Sequence, residues 1–200
     1  MILSNNFSLK IFVAFIVSFG YAVLRYNFFG NVPLEEIPLY ITNKAISLTV
    51  IFLLLFSIQK TSLKEARKKL WKLIFILTSI HVFISFRLLG PEHYQKFYFE
   101  NELNIIGYLT IFFGITGFVG FLILRSDNLL PTENGKLKIP NSLKNVIRTI
   151  IPIFILGHLF SMGIYGWLSP NKWPGFMIPI SLIGFILALF YLKSFFIKRK

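Results

Sequence analysis

The chain has 200 residues, of which 55% are hydrophobic and 14% are charged, and its formal net charge is +13. A soluble domain carries about one quarter charged residues, because its surface must be polar, so this composition excludes an ordinary soluble domain. The sequence contains no cysteine, which excludes disulfides, thiolate-bound metals and thiol redox chemistry.

Apolar residues fall into six blocks of about twenty residues, the length that crosses a hydrocarbon core about 30 Å thick. Turn-forming residues such as Gly90-Pro91 separate the blocks. We therefore expect an all-α, integral membrane bundle of six transmembrane helices, which lies in the lipid bilayer as a single domain over residues 1–200. The expected helices cover residues 9–26, 40–58, 70–89, 103–125, 145–167 and 175–197.

Basic residues are distributed unequally between alternate connections. The N-terminal segment, loops 59–72 and 125–148 and the C-terminal tail contain 16 of the 21 Lys and Arg residues, and the segments on the other side contain five. Cytoplasmic loops of membrane proteins carry the excess of positive charge. We therefore expect a multi-pass protein of the inner (plasma) membrane with both termini in the cytoplasm. The basic charge then reflects topology, and nucleic acid is not an expected partner.

Two of the three histidines lie deep inside apolar blocks. His81 lies nine residues beyond Lys72, and His158 lies ten beyond Arg148, so each ring is about 15 Å from the cytoplasmic interface at 1.5 Å per residue. A polar group at this depth is costly and usually functional. Two imidazoles at one depth on parallel helices can hold the iron of a b-type haem from opposite faces. The alternative for each histidine is a hydrogen bond to a neighbouring helix.

Other residues near these positions fit a haem. Gly157 would leave room for a flat macrocycle next to His158. Arg25, Lys44 and Arg87 lie at the helix ends opposite the cytoplasm, where each can pair with a haem propionate, and Arg87 is the foremost candidate. Their alternative role is to extend to the membrane interface or to pair with nearby glutamates. A stripe of small residues predicts close helix packing: Gly107, Gly114, Gly117 and Gly120.

Several stretches resemble the ferric reductase-like transmembrane superfamily, which includes the MsrQ/YedZ haem subunits, the STEAP metalloreductases and the NADPH-oxidase cores. They are the basic run 66–72 followed by His81-Val82-Phe83 and Ser85, the segment from Lys144 to His158-Leu159-Phe160, and the spans 24–26, 38–40 and 43–45. The resemblance implies a membrane cytochrome b, with His81 and His158 as axial ligands, that transports electrons as the membrane component of an oxidoreductase.

The sequence departs from the two-haem members of that group, which carry a second histidine on each ligand helix. His93 follows Gly90-Pro91, which should end the helix, and Asn171 stands where the counterpart of His93 would lie. The resemblance therefore implies one haem b, and His93 is expected in an external loop.

The electron donor and acceptor stay open. A Gly-rich dinucleotide motif is absent, so the expected redox partner is a cytoplasmic flavoprotein at the basic loop 59–72, a quinone from the membrane, or another acceptor. The alternative function is a non-redox polytopic membrane protein, either a small transporter or an assembly subunit.

Overall fold

The computed structural model describes residues 5–58, 64–126, 131–132, 135–136 and 140–197. In these ranges the chain is almost entirely helical. The helices are α1 (Asn5–Val23), α2 (Thr42–Ile58), α3 (Lys64–Arg87), α4 (Pro91–Tyr94), α5 (Ile105–Ser126), α6 (Asn141–Trp167) and α7 (Ile180–Ile197). Two short antiparallel strand pairs lie in the connections: β1 (Tyr98–Phe99) with β2 (Glu102–Leu103), and β3 (Pro131–Thr132) with β4 (Gly135–Lys136).

Six of the described helical segments are long and apolar enough to cross a membrane, as predicted. A π-helical turn over Leu24–Phe28 extends α1, and helical turns over Leu34–Glu36 and Ile37–Ile41 lead into α2. The last helix begins at residue 180 instead of 175. Pro174 and Pro179 explain this shift, because a proline has no backbone N–H to donate inside a helix, and a short turn over Pro174–Phe176 fills the interval.

The long helices form a ring around a shared interior. Helix α2 contacts α1, α3 and α7, helix α6 contacts α5 and α7, and α3 contacts α5. Five helices thus close the ring, and α1 packs against α2. Leu53 on α2 and Ile74 on α3 are fully buried in the largest apolar cluster, while Phe83 and Phe190 are exposed on the outside. The bundle is therefore apolar both inside and outside.

Three glycines of the small-residue stripe on α5 face α6, as expected for helix packing, namely Gly114, Gly117 and Gly120, whereas Gly107 faces Phe97 and Leu103. A Cβ atom added at Gly120 would lie 2.9 Å from Ile151 Cγ1. Gly157 belongs to the same interface from the α6 side, because its added Cβ would lie 2.7 Å from Phe113 Cδ1. The expectation that Gly157 makes room for a macrocycle is therefore wrong, since the aromatic ring of Phe113 occupies that space.

Candidate cofactor site

His81 on α3 and His158 on α6 lie next to each other inside the helix ring. Their ring centroids are 6.5 Å apart, and the ring planes are inclined by 82°. A metal atom bound by one nitrogen of each ring would separate the centroids by about 6 Å, from two bonds of about 2 Å and about 1 Å between each nitrogen and its ring centre. The observed centroid separation is close to this value.

Both rings are held through their Nδ1 atoms. His81 Nδ1 lies 2.7 Å from Asn43 Oδ1, and the Asn43 amide nitrogen donates to Ser85 Oγ at 3.0 Å. His158 Nδ1 lies 2.9 Å from the carbonyl oxygen of Thr110. Because both partner atoms are acceptors, each Nδ1 carries the proton. In a neutral imidazole the lone pair is then on Nε2, which is the atom that remains for a metal.

A cavity of about 690 Å³ lies beside the two rings, and both histidines line it. Its size falls within the range of about 300–1,000 Å³ that small-molecule and cofactor sites occupy. Gly114 on α5 also lines the cavity, and a Cβ atom added there would lie 3.0 Å from His158 Nδ1. The glycine thus provides the space that the imidazole ring fills, and the cavity is large enough for a planar cofactor.

The two histidines share one level along the bundle, but this level is not the middle of the helices. His81 lies six residues before the end of α3, and His158 lies nine residues before the end of α6. Helices α3 and α6 begin at residues 64 and 141 instead of the predicted 70 and 145, so both extend farther on the basic side. The rings therefore lie closer to the helix ends that carry Arg25 and Lys44.

Two of the three predicted carboxylate partners, Arg25 and Lys44, line the cavity. Arg25 is only 6% exposed. It donates through Nη1 to the carbonyl oxygen of Met177, and its Nε has no hydrogen-bond partner among the described residues. The Lys44 ammonium lies 4.9 Å from the ring centroid of Tyr40 and 4.7 Å from that of Tyr94. Neutral groups hold both cations, so their charges are available to an anion in the cavity.

Arg87, by contrast, is exposed at the end of α3 and is not among the residues that line the cavity. Six residues separate Arg87 from His81, which is about 1.7 helical turns, so the two side chains point roughly 120° apart. The structure therefore does not bring Arg87 to the cavity wall, and its role as a partner of a cofactor carboxylate stays a prediction.

The cavity is also lined by two cations that the sequence analysis did not single out, Lys96 and Lys172. The Lys96 ammonium donates to the carbonyl oxygen of Met162, one turn beyond His158 on α6. Part of the Lys96 side chain is exposed at the cavity mouth. Burial of its ammonium end, with a smaller contribution from the positive charge of Lys44, lowers the pKa of Lys96 from 10.5 to about 7. Only the tertiary fold brings these lysines to the site, and their local sequence carries no such signal.

His93 lies on α4, in the connection between α3 and α5, where the sequence analysis expected it. Its Nε2 is 3.3 Å from Glu36 Oε2, and its ring centroid is 5.9 Å from that of Tyr40. His93 also lines the cavity mouth, while Asn171 is exposed in the turn Pro170–Lys172. All three histidines thus line one cavity, but only the rings of His81 and His158 lie next to each other.

Within the described ranges, no three His, Cys, Asp or Glu side chains are grouped so that they could hold a metal ion. A haem brings its own macrocycle, so two histidines are sufficient to hold it, and this result bears only on bare metal ions. Comparisons with protein-family models, with curated proteins and with solved structures give no match. Membership of the ferric reductase-like superfamily therefore stays a prediction from the resemblance.

Proposed function

We propose that this chain is a multi-pass membrane cytochrome of b type, which holds one haem between His81 and His158 and relays electrons across or within the membrane. The observation that carries the proposal is the separation of 6.5 Å between the two imidazole centroids, with both Nδ1 atoms occupied by acceptors. Six apolar helical segments support a membrane location, and the distribution of basic residues supports cytoplasmic termini in the inner (plasma) membrane.

The residues at the site have distinct roles in this proposal. His81 and His158 supply the two Nε2 ligands, while Asn43 and the Thr110 carbonyl keep the proton on Nδ1 and fix the ring orientations. Arg25 replaces Arg87 as the leading partner for a propionate carboxylate. When bound, a haem supplies one-electron redox chemistry, which its ligands and surroundings tune.

The redox partners proposed here follow from the basic charge at one end of α3 and from the absence of a dinucleotide-binding motif in the sequence. Lys68, Lys69 and Lys72 are exposed at the basic end of α3, where they favour docking of an acidic protein surface such as that of a cytoplasmic flavoprotein. Lys60, which belongs to the same predicted loop, lies outside the described residues. A quinone would reach the bundle through the lipid. In either case the chain would be the membrane component of an oxidoreductase of the ferric reductase-like kind.

Absorption spectra test the proposal directly. The full-length protein is purified from haem-replete cells, and a reduced-minus-oxidised spectrum is recorded. We expect the Soret and α bands of a b-type haem in the wild type, their loss in His81→Ala and His158→Ala, and their retention in the matched control His93→Ala. A colourless wild type would exclude the proposal and favour a small transporter or an assembly subunit. Bands retained in all three variants would contradict the ligand assignment.

A further inference from the structure

The cavity is lined by an excess of positive charge. Arg25, Lys44, Lys96 and Lys172 line it, and the described lining residues include no Asp or Glu. The partners of three of these cations are neutral, namely backbone carbonyl oxygens for Arg25 and Lys96 and tyrosine rings for Lys44. The cavity therefore carries up to four positive charges without a carboxylate on its described wall.

The nearby glutamate does not offset this charge. Glu36 lies 3.3 Å from His93 Nε2 and does not line the cavity. Positive charges with little water around them are costly unless an anion accompanies them. Arg25, at 6% exposed and with a free Nε, shows this most clearly among the described residues. The missing negative charge is thus expected from a bound molecule.

A haem alone does not balance the positive charge on the cavity wall. Its two propionate carboxylates would offset two of the four positive charges, and the less exposed cations Arg25 and Lys44 are the ones that we assign to them. Lys96 and Lys172 remain: Lys172 is exposed, whereas Lys96 is exposed along its side chain and has its ammonium end buried in the cavity. They lie in the α4–β1 connection and in the turn Pro170–Lys172, so a molecule from the aqueous phase reaches them without crossing the apolar helix faces.

We infer that the mouth of this cavity is a binding site for a small dianionic carboxylate, held by Lys96 and Lys172 and separate from the haem. The inference goes beyond the proposed function, because it concerns a second ligand at two cations that the haem proposal does not use. Charge-assisted hydrogen bonds from the two ammonium groups would hold the two carboxylates.

Isothermal titration calorimetry with malonate tests the inference. The full-length protein is purified in a zwitterionic detergent from haem-replete and from haem-limited cells, and malonamide serves as the uncharged probe of the same shape. We expect one malonate per chain in the haem-replete preparation, a second in the haem-limited preparation, where Arg25 and Lys44 lack the propionates, and no binding of malonamide in either. Lys96→Gln and Lys172→Gln should each weaken malonate binding about tenfold. Arg87→Gln, which removes an exposed cation outside the cavity, should leave the affinity unchanged.

The outcomes separate this inference from the proposed function. If the protein from haem-replete cells is colourless but binds malonate with the expected variant pattern, the anion site is supported and the haem is excluded. A haem-loaded protein that does not bind malonate overturns the inference and leaves the haem in place, and it shows that the cations serve the propionates alone. Equal weakening by Arg87→Gln would also overturn it, since the effect would then come from net charge.

Discussion

Asn43 holds the imidazole of His81 from a different helix: its Oδ1 lies 2.7 Å from His81 Nδ1. The same amide donates through Nδ2 to Ser85 Oγ, one turn beyond His81 on α3. Asn43 is 1% exposed, so water does not compete for these bonds. One side chain on α2 thus fixes both the orientation and the proton position of a candidate ligand on α3. His158 has a backbone carbonyl in this role, which no side-chain substitution removes.

Substitution of Asn43 should change the haem site in two distinguishable ways. Asn43→Ala removes the acceptor and should weaken haem retention about 10–100-fold. Asn43→Asp places a carboxylate on Nδ1–H, makes the imidazole a stronger donor to iron and should lower the haem midpoint potential. Potentiometric titration followed by absorbance measures both effects. Ser85→Ala, which keeps the Asn43 oxygen, is the control, and an unchanged potential in Asn43→Asp would contradict this role.

The glycine beside His158 offers a steric test. In Gly114→Ala the new Cβ would lie 3.0 Å from His158 Nδ1, so the imidazole ring must move away from residue 114 and leave its present position relative to His81. We expect a reduced haem content with unchanged helicity by circular dichroism. Gly117→Ala, on the same helix, places its Cβ 3.5 Å from Phe154 Cβ, which is an ordinary contact. If both variants lost haem equally, the effect would come from helix packing and not from the ring of His158.

Gly157 should affect stability without acting on the cofactor directly. The Cβ of Gly157→Ala would lie 2.7 Å from Phe113, and overpacking of this kind costs about 1–3 kcal/mol. Thermal unfolding in detergent should therefore occur at a lower temperature. In the control Gly20→Ala the new Cβ meets no atom within 4 Å, and alanine favours a helix over glycine by about 1 kcal/mol. A stabilised Gly157→Ala variant would contradict the described α5–α6 interface.

Malonate binding should depend on pH through Lys96. Its pKa of about 7 means that the ammonium loses its proton as the pH rises through neutrality, so affinity should fall between about pH 6.5 and pH 9. Bound malonate favours the protonated form and shifts the midpoint upward. Other basic side chains that line the same cavity as Lys96 are Lys44, Arg25, His93 and Lys172. Lys96→Arg keeps its charge in this range and should flatten the profile, whereas an unchanged profile would assign the titration to another group.

Topology can be tested with single cysteines, because the natural chain contains none. Asn171→Cys lies in the exposed turn Pro170–Lys172, and Ser142→Cys lies in the exposed first turn of α6. If the basic side is cytoplasmic, a membrane-impermeant thiol reagent should label Asn171→Cys in intact cells. It should label Ser142→Cys only after permeabilisation. The reverse pattern would contradict the predicted orientation of the termini.

The sequence was sufficient for the helices and for the common level of the two histidines. Block length relates directly to helix length at 1.5 Å per residue, so counting residues from Lys72 and Arg148 placed His81 and His158 at one depth before any contact was known. The predicted helix boundaries were less accurate. Helices α3 and α6 extend farther on the basic side than hydropathy indicated, because charged residues continue a helix beyond its apolar part.

The sequence by itself therefore determined how many apolar helices the described ranges contain, where they begin and end to within six residues, and that two histidines share one level. Only the tertiary structure decided which side chains meet: Asn43 at His81, the Thr110 carbonyl at His158, Phe113 at Gly157, and Lys96 and Lys172 at the cavity in place of Arg87. The physical reason lies in the helices themselves. A helix with one apolar face shows in its sequence which side is buried, whereas helices that are apolar all round do not. Their rotation about the axis is set by close packing, which depends on the neighbouring helices.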